Sequence, residues 1–190
     1  MGALGLCYSL QPEGRGLQHD GIIVKRLSEE NQMKKGLLMV LSGNAEDKAV
    51  SAFGQVLRAL GQGFRVCVME FSGESWISRS DFSERFQDLL TVHELGNDME
   101  VESENPSPDP ENAQKAWKVA KESINSGRFQ MIVLNEFIYL LAREAIDGRE
   151  AVDFLSKRPA DVHVIITGSD PPQLLVDAAD LVTAINRVQG

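Results

Sequence analysis

Six short runs of branched and aliphatic residues recur along the chain, at "GLLMVL", "FRVCVMEF", "LTVH", "QMIVLN", "VHVIIT" and "LVTAI". Each has strand length, and most are apolar at nearly every position rather than at every second one. Between them the apolar period lengthens. In "SAFGQVLRAL" Phe53, Val56, Leu57 and Leu60 share a helical face, and in "NAQKAWKVAKESI" the stripe is Ala113, Ala116, Trp117, Ala120 and Ile124. Strands apolar on both sides, alternating with amphipathic helices, predict a mostly parallel twisted sheet of about six strands with helices on both faces, an α/β fold. The segment "IIVKRLSEENQMKK" ahead of the first strand predicts a short peripheral helix. The expected division is an N-terminal extension, 1–35, followed by one domain, 36–190.

Composition narrows the picture. The 190 residues suit one continuous core, and 43% of them are hydrophobic. No apolar run is long enough to span a bilayer, and the start lacks a basic segment followed by an apolar one, so a cytoplasmic location is expected and no membrane partner. A net charge of −9 argues against nucleic acid, which needs clustered Lys and Arg. Much of the acidity sits in the proline-bearing stretch Glu94–Glu111, which reads as a solvated loop. Two cysteines make neither a disulfide framework nor a metal knuckle, and Cys67 reads as core filler. His19, His93 and His163 lack the spacing of a metal set. No His or Asp partner can be assigned to Ser42 or Ser51, so a serine hydrolase has little support. Trp117, on a helical apolar stripe, is expected in the core.

Candidate chemistry lies between the first strand and its helix, in "SGNAEDKAV", Ser42 to Val50. A turn with a Gly and a Lys at that place is where a phosphate loop lies: backbone N–H groups and a helix N-terminus face the anion, and the Lys reaches its outer phosphates. Gly43, Asn44 and Lys48 fit that pattern. The glycine before the Lys is instead Asp47, and the hydroxyls after it are instead Ala49 and Val50.

The chain as a whole resembles the ATP:corrinoid adenosyltransferases, a P-loop NTPase-like family. The opening pattern G-L-hydrophobic-x-x-[ST]-G-N-G-K-G-K-T-T-A-A-F-G is matched by Gly36, Ser42, Gly43, Asn44, Lys48, Ala52, Phe53 and Gly54. Arg58, Ala59, Gly61, Gly63, Phe71 and Trp76 follow in order. The closing segments match through Arg158, Pro159, Thr167, Gly168 and the run Ala179 to Thr183.

The resemblance implies transfer of an adenosyl group from ATP, with Mg²⁺, to the reduced cobalt of a corrinoid substrate, by a homodimer. It implies that Ser42, Gly43, Asn44, Asp47, Lys48 and Trp76 line the cofactor site. At the end of the fourth strand it places Glu136 on the metal or its water, and Asn135 where members carry an Asp.

Several departures from the pattern collect at this chemistry. A carboxylate at Asp47, about 5 Å from phosphate at an effective dielectric near 20, costs roughly 3 kcal/mol, on the order of a hundredfold in affinity. Asn135 brings no charge to a hydrated Mg²⁺, Ser169 stands where members have Arg, and Gly73 where they have Lys. Two readings follow: a corrinoid adenosyltransferase, or a catalytically inactive relative that binds corrinoid, regulates or assembles.

Overall fold

The computed structural model describes residues 35–43, 45–71, 81–96 and 108–186, with the side chains of residues 45–47 and 81 outside that description. The extension 1–34, with most of its predicted helix, and most of the acidic stretch 94–111 therefore lie outside the described residues. So do Asn44 and Trp76.

All six predicted strands form: β1 (Leu38–Gly43), β2 (Val66–Glu70), β3 (Leu90–Glu94), β4 (Met131–Asn135), β5 (His163–Gly168) and β6 (Leu181–Ile185). They join one sheet in the order β3-β2-β4-β5-β1-β6. Every pairing is parallel, with Leu38 opposite Val164, Cys67 opposite Ile132 and Val133 opposite Ile165. The central strands are buried on both faces, which is why their sequences do not alternate. β6 at the edge is largely exposed.

Alternation along each strand divides the core in two. On one face Met39, Leu41, Val66, Val68, Val133 and Ile165 pack under α1 (Ala45–Gly61), through Ala52, Val56, Ala59 and Leu60. Phe82 and Phe86, from α2 (Asp81–Arg85) and the turn after it, close the edge of that cluster. On the other face Leu38, Val40, Cys67, Met69, Ile132 and Leu134 meet α3 (Pro110–Asn125), α4 (Phe137–Ala142), α5 (Gly148–Ser156) and Leu175 of α6 (Gln173–Ala178). The expected helices on both faces are present.

Two details sharpen the helical stripes. In α3 the buried set is Ala113, Ala116, Trp117, Ala120, Ser123 and Ile124, the predicted stripe with one serine added. In α1, however, Leu57 is exposed and the buried line runs through Ala52, Val56, Ala59 and Leu60. That line keeps the i, i+4, i+7, i+8 spacing, and Leu57 falls one residue beyond it, about 100° round the helix.

Caps hold the helices of the second face. The Asp109 carboxylate accepts from the Asn112 N–H at 2.9 Å ahead of Pro110, and the Asp147 carboxylate accepts from the N–H groups of Arg149 and Glu150, both at 2.8 Å. Each such cap stabilises a helix by about 1 kcal/mol. Trp117 is fully buried, and its indole N–H donates to Glu150 at 2.7 Å, so it is a core residue as its stripe predicts. Cys67 is also fully buried in β2, and burial pushes its thiol up to about 12. It is inert filler.

Candidate active site

In an open parallel sheet, ligands bind beyond the carboxyl ends of the strands. Here β1 ends at Gly43, β2 at Glu70, β4 at Asn135 and β5 at Gly168. Alternation places Gly43, Glu70, Asn135 and Thr167 on the α1 face, since Leu41, Val68, Val133 and Ile165 face that helix. The start of α1 therefore stands over a rim of polar side chains.

The helix begins at Ala45, so Lys48 belongs to its first turn rather than to a loop before it. The first N–H groups of a helix have no intrahelical partner, and the macrodipole makes that end positive. Gly43 joins strand to helix at φ 136, and a Cβ there would lie 2.0 Å from the Ile185 carbonyl oxygen. Only glycine fits.

Lys48 is 2% exposed although charged. Its ammonium donates to the Gly43 carbonyl at 3.4 Å and to Ser169 Oγ at 3.2 Å, and it pairs with Glu136 Oε1 at 3.1 Å. All three of its protons have a partner. Ser169 Oγ in turn donates to the Gly43 carbonyl at 3.2 Å. A serine at this position thus supports the lysine and the turn, where the sequence pattern led us to read only a lost cation.

The remaining members form a chain of hydrogen bonds across three strands. The Asn135 amide donates to Glu70 Oε2 at 2.5 Å, and its carbonyl accepts from the Thr167 hydroxyl at 2.7 Å. Thr167 Oγ1 accepts the Glu136 N–H at 2.9 Å. Glu136 sits at φ 61, ψ 21, ahead of α4 and without a side-chain cap bond. For a non-glycine residue that left-handed conformation costs on the order of 1 kcal/mol. Through this turn the Glu136 carboxylate reaches Lys48.

The sequence-predicted residues divide accordingly. Gly43, Lys48, Asn135 and Glu136 are brought into one connected cluster. Ser42 is buried in β1 two residues after Val40, which packs on the opposite face, so alternation turns it away from α1. Asp47 is in the first turn of α1, with its side chain outside the description. Two members were missed by the sequence reading, Glu70 and Thr167. Glu70 had a visible signal: an acidic residue closing an otherwise apolar strand.

The cluster suits a nucleotide triphosphate. A helix start, a glycine turn and a buried ammonium are what phosphate oxygens require. Among the described residues no group of three His, Cys, Asp or Glu side chains could hold a metal ion unaided. That is ordinary for Mg²⁺ bound with ATP, which keeps its waters and takes one or two carboxylates plus phosphate oxygens. The carboxylates in the cluster are those of Glu70 and Glu136. His93 and His163 lie elsewhere, each held below the usual imidazole range by burial first and by a nearby arginine second.

Comparison with known proteins gives the same direction. The family model described as "ATP:corrinoid adenosyltransferase BtuR/CobO/CobP" matches residues 34–190. The corrinoid adenosyltransferase of Pseudomonas aeruginosa is 32% identical over 157 residues, 82% of this chain and 77% of that relative. The protein of that name from Sinorhizobium sp. is 31% identical over 159 residues, 82% of this chain and 74% of its own length. That from Escherichia coli K12 is 29% identical over 165 residues, 83% and 80% of the two chains. With an all-parallel sheet, a glycine turn into α1 and a family match over nearly the whole described chain, this protein belongs to the ATP:corrinoid adenosyltransferase family.

Proposed function

We propose that the chain binds ATP at the carboxyl end of its sheet and transfers the adenosyl group to the reduced cobalt of a corrinoid. The cobalt–carbon bond forms as the 5′ carbon–oxygen bond breaks. The two electrons of the new bond come from cobalt, and triphosphate leaves with the pair of the broken one. The protein's part is position and electrostatics.

The observation that carries this reading is the buried ammonium of Lys48 at the start of α1, beside the glycine turn. A charge is costly to bury unless it serves an anion or is paired. Here its partners, Glu136, Ser169 and the Gly43 carbonyl, are ones that phosphate oxygens can replace. Gly43, Lys48, Glu136 and Asn135 are the residues to which we assign the site, with Asn44, Asp47 and Trp76 as further contacts and Mg²⁺ as the companion ion. A homodimer, expected from the family resemblance, and a cytoplasmic location, expected from the sequence, accompany the reading. Among the described residues, no helix is long and apolar enough to cross a membrane.

One set of observations favours the second reading, an inactive corrinoid-binding or regulatory protein: Asp47, Ala49 and Val50 stand where the family pattern has a glycine and two hydroxyls. The two are separated by incubating the protein with ATP, Mg²⁺ and a chemically reduced corrinoid, then recording the corrinoid's absorption spectrum. The adenosylated product, formed by the wild type and not by Lys48→Met, supports transfer. A wild type that binds corrinoid and leaves it unalkylated supports the inactive alternative.

A further inference from the structure

We propose that Thr167 is a positioning residue of this site, its hydroxyl holding Glu136 and Asn135 in place once ATP has drawn Lys48 away from Glu136. The inference rests on the reading of the cluster as an ATP site and adds a residue and a role to it.

Thr167 lies one residue before the end of β5 and is fully buried. The ladder beside it stops short: β4 and β5 pair as far as Leu134 and Ile166. Glu136, two residues on, turns into the left-handed region at φ 61, so its N–H leaves the direction of the ladder. The Thr167 hydroxyl takes the place of a ladder carbonyl and accepts that N–H at 2.9 Å. A hydroxyl has one proton to give. That of Thr167 goes to the Asn135 side-chain carbonyl at 2.7 Å, which leaves the amide group of Asn135 to point the other way. The branch at Cβ stiffens the threonine side chain, so both bonds keep their direction.

Glu136 depends on this support. A left-handed turn at a residue with a side chain costs about what one hydrogen bond contributes, and Glu136 has no side-chain cap bond to offset it. Its carboxylate is tethered by Lys48 at 3.1 Å. Phosphate oxygens that take over Lys48 remove that tether. The Glu136 carbonyl accepts from the Tyr139 N–H at 3.1 Å, within its own helical turn. The N–H on Thr167 is then the bond that ties Glu136 to a neighbouring strand. Thr167 therefore acts most on the stage after binding, and least on binding itself, which the glycine turn, the start of α1 and Lys48 carry.

The test measures steady-state adenosyl transfer and calorimetric MgATP affinity for the full-length wild type, Thr167→Val and Thr167→Ser, normalised to folded protein. Valine keeps the shape and loses the hydroxyl; serine keeps the hydroxyl and loses the methyl. Thr167→Val is expected to lower kcat by about tenfold to a hundredfold, as displaced positioning groups do, with MgATP affinity within about threefold of the wild type. Thr167→Ser should keep kcat within about threefold. In Glu136→Gln, adding Thr167→Val should lower kcat by less than about threefold more, because both changes act through one side chain. The reverse order, with valine near wild type and serine impaired, assigns the residue to packing and overturns the proposal. So do equal losses in both variants, or losses from Thr167→Val and Glu136→Gln that multiply in the double variant. A Thr167→Val protein with wild-type kcat overturns it too, and leaves the ATP site itself standing. A wild type that forms no adenosylated product overturns the functional reading and the role of Thr167 with it.

Discussion

At the amino end of the sheet, Arg158 donates to the carbonyls of Leu155, Gly36 and Val162 at 3.0, 2.8 and 3.3 Å, and to Asp180 at 3.2 Å. Asp180 accepts from the Leu38 N–H at 2.8 Å and from Lys35 at 3.0 Å. Most of these bonds end on backbone, and together they tie the start of β1 to the approaches of β5 and β6. At the carboxyl end more of the bonds run between side chains, Lys48 to Glu136 and Ser169, Asn135 to Glu70 and Thr167, beside those from Lys48 and Ser169 to the Gly43 carbonyl and from the Glu136 N–H to Thr167. The bonds from Arg158 and Asp180 to backbone hold the starts of the strands in place. Side-chain partners can be traded for a ligand's oxygens with the fold intact. One end is built to hold the sheet and the other to let go.

That contrast can be broken most forcefully at Arg158. Arg158→Ala strips backbone carbonyls of a largely buried charged donor and should cost about 3 kcal/mol of stability, read as a shift in denaturant midpoint, with nucleotide affinity unchanged. If ATP binding fell in parallel while the protein stayed folded, the two ends would not be independent.

Asp47→Gly works in the other direction, at the carboxyl end. Removing a carboxylate that the family pattern puts beside the phosphates should raise ATP affinity by roughly a hundredfold, about 3 kcal/mol, and leave Arg158 and Asp180 untouched. Lys48→Met comes next, with a loss of ATP affinity of about thirtyfold, some 2 kcal/mol for a charge-assisted bond. Its melting temperature should change little, because Glu136 is partly exposed and can be hydrated.

The smallest effect concerns pH, and chiefly the amino end. The Leu38 N–H first, and the Lys35 ammonium second, hold the Asp180 carboxyl below the usual carboxylate range. Burial first, and Arg158 second, hold His163 below the usual imidazole range, and its Nδ1 accepts the Leu37 N–H at 3.2 Å. Both groups bind protons more weakly folded than unfolded, so each contributes stability that is present above its unfolded pKa and lost as pH falls through the folded value. Unfolding midpoints should therefore decline in a first step below about pH 6.5 and a second below about pH 4. His163→Gln should reduce only the first step, leaving the share of His93, which burial also holds low. ATP affinity normalised to folded protein should show neither.

The sheet was legible in the sequence because burial on both faces leaves an unmixed apolar run, and six such runs gave six strands. Trp117 and its stripe were legible for the same reason, a period of 3.6 imposed by the core. The short helices α2, α4 and α6 had too few turns to show a period, and tertiary packing fixes them instead. In the site, Gly43 and Lys48 could be read from the turn they share, and Asn135 and Glu136 from resemblance. Glu70 was not singled out, because no local rule joins two residues that are 65 apart in the chain and neighbours only through strand register. Ser169 was read as a loss because the resemblance implied a cation at that place. Its hydroxyl between Lys48 and Gly43 is a tertiary fact.

The most direct test is calorimetric titration of the full-length protein with MgATP, beside Asp47→Gly and Lys48→Met. A nucleotide site at the carboxyl end predicts one ATP per chain, bound more tightly by Asp47→Gly and more weakly by Lys48→Met. No heat of binding in either the wild type or Asp47→Gly, or equal affinities in all three proteins, would contradict it.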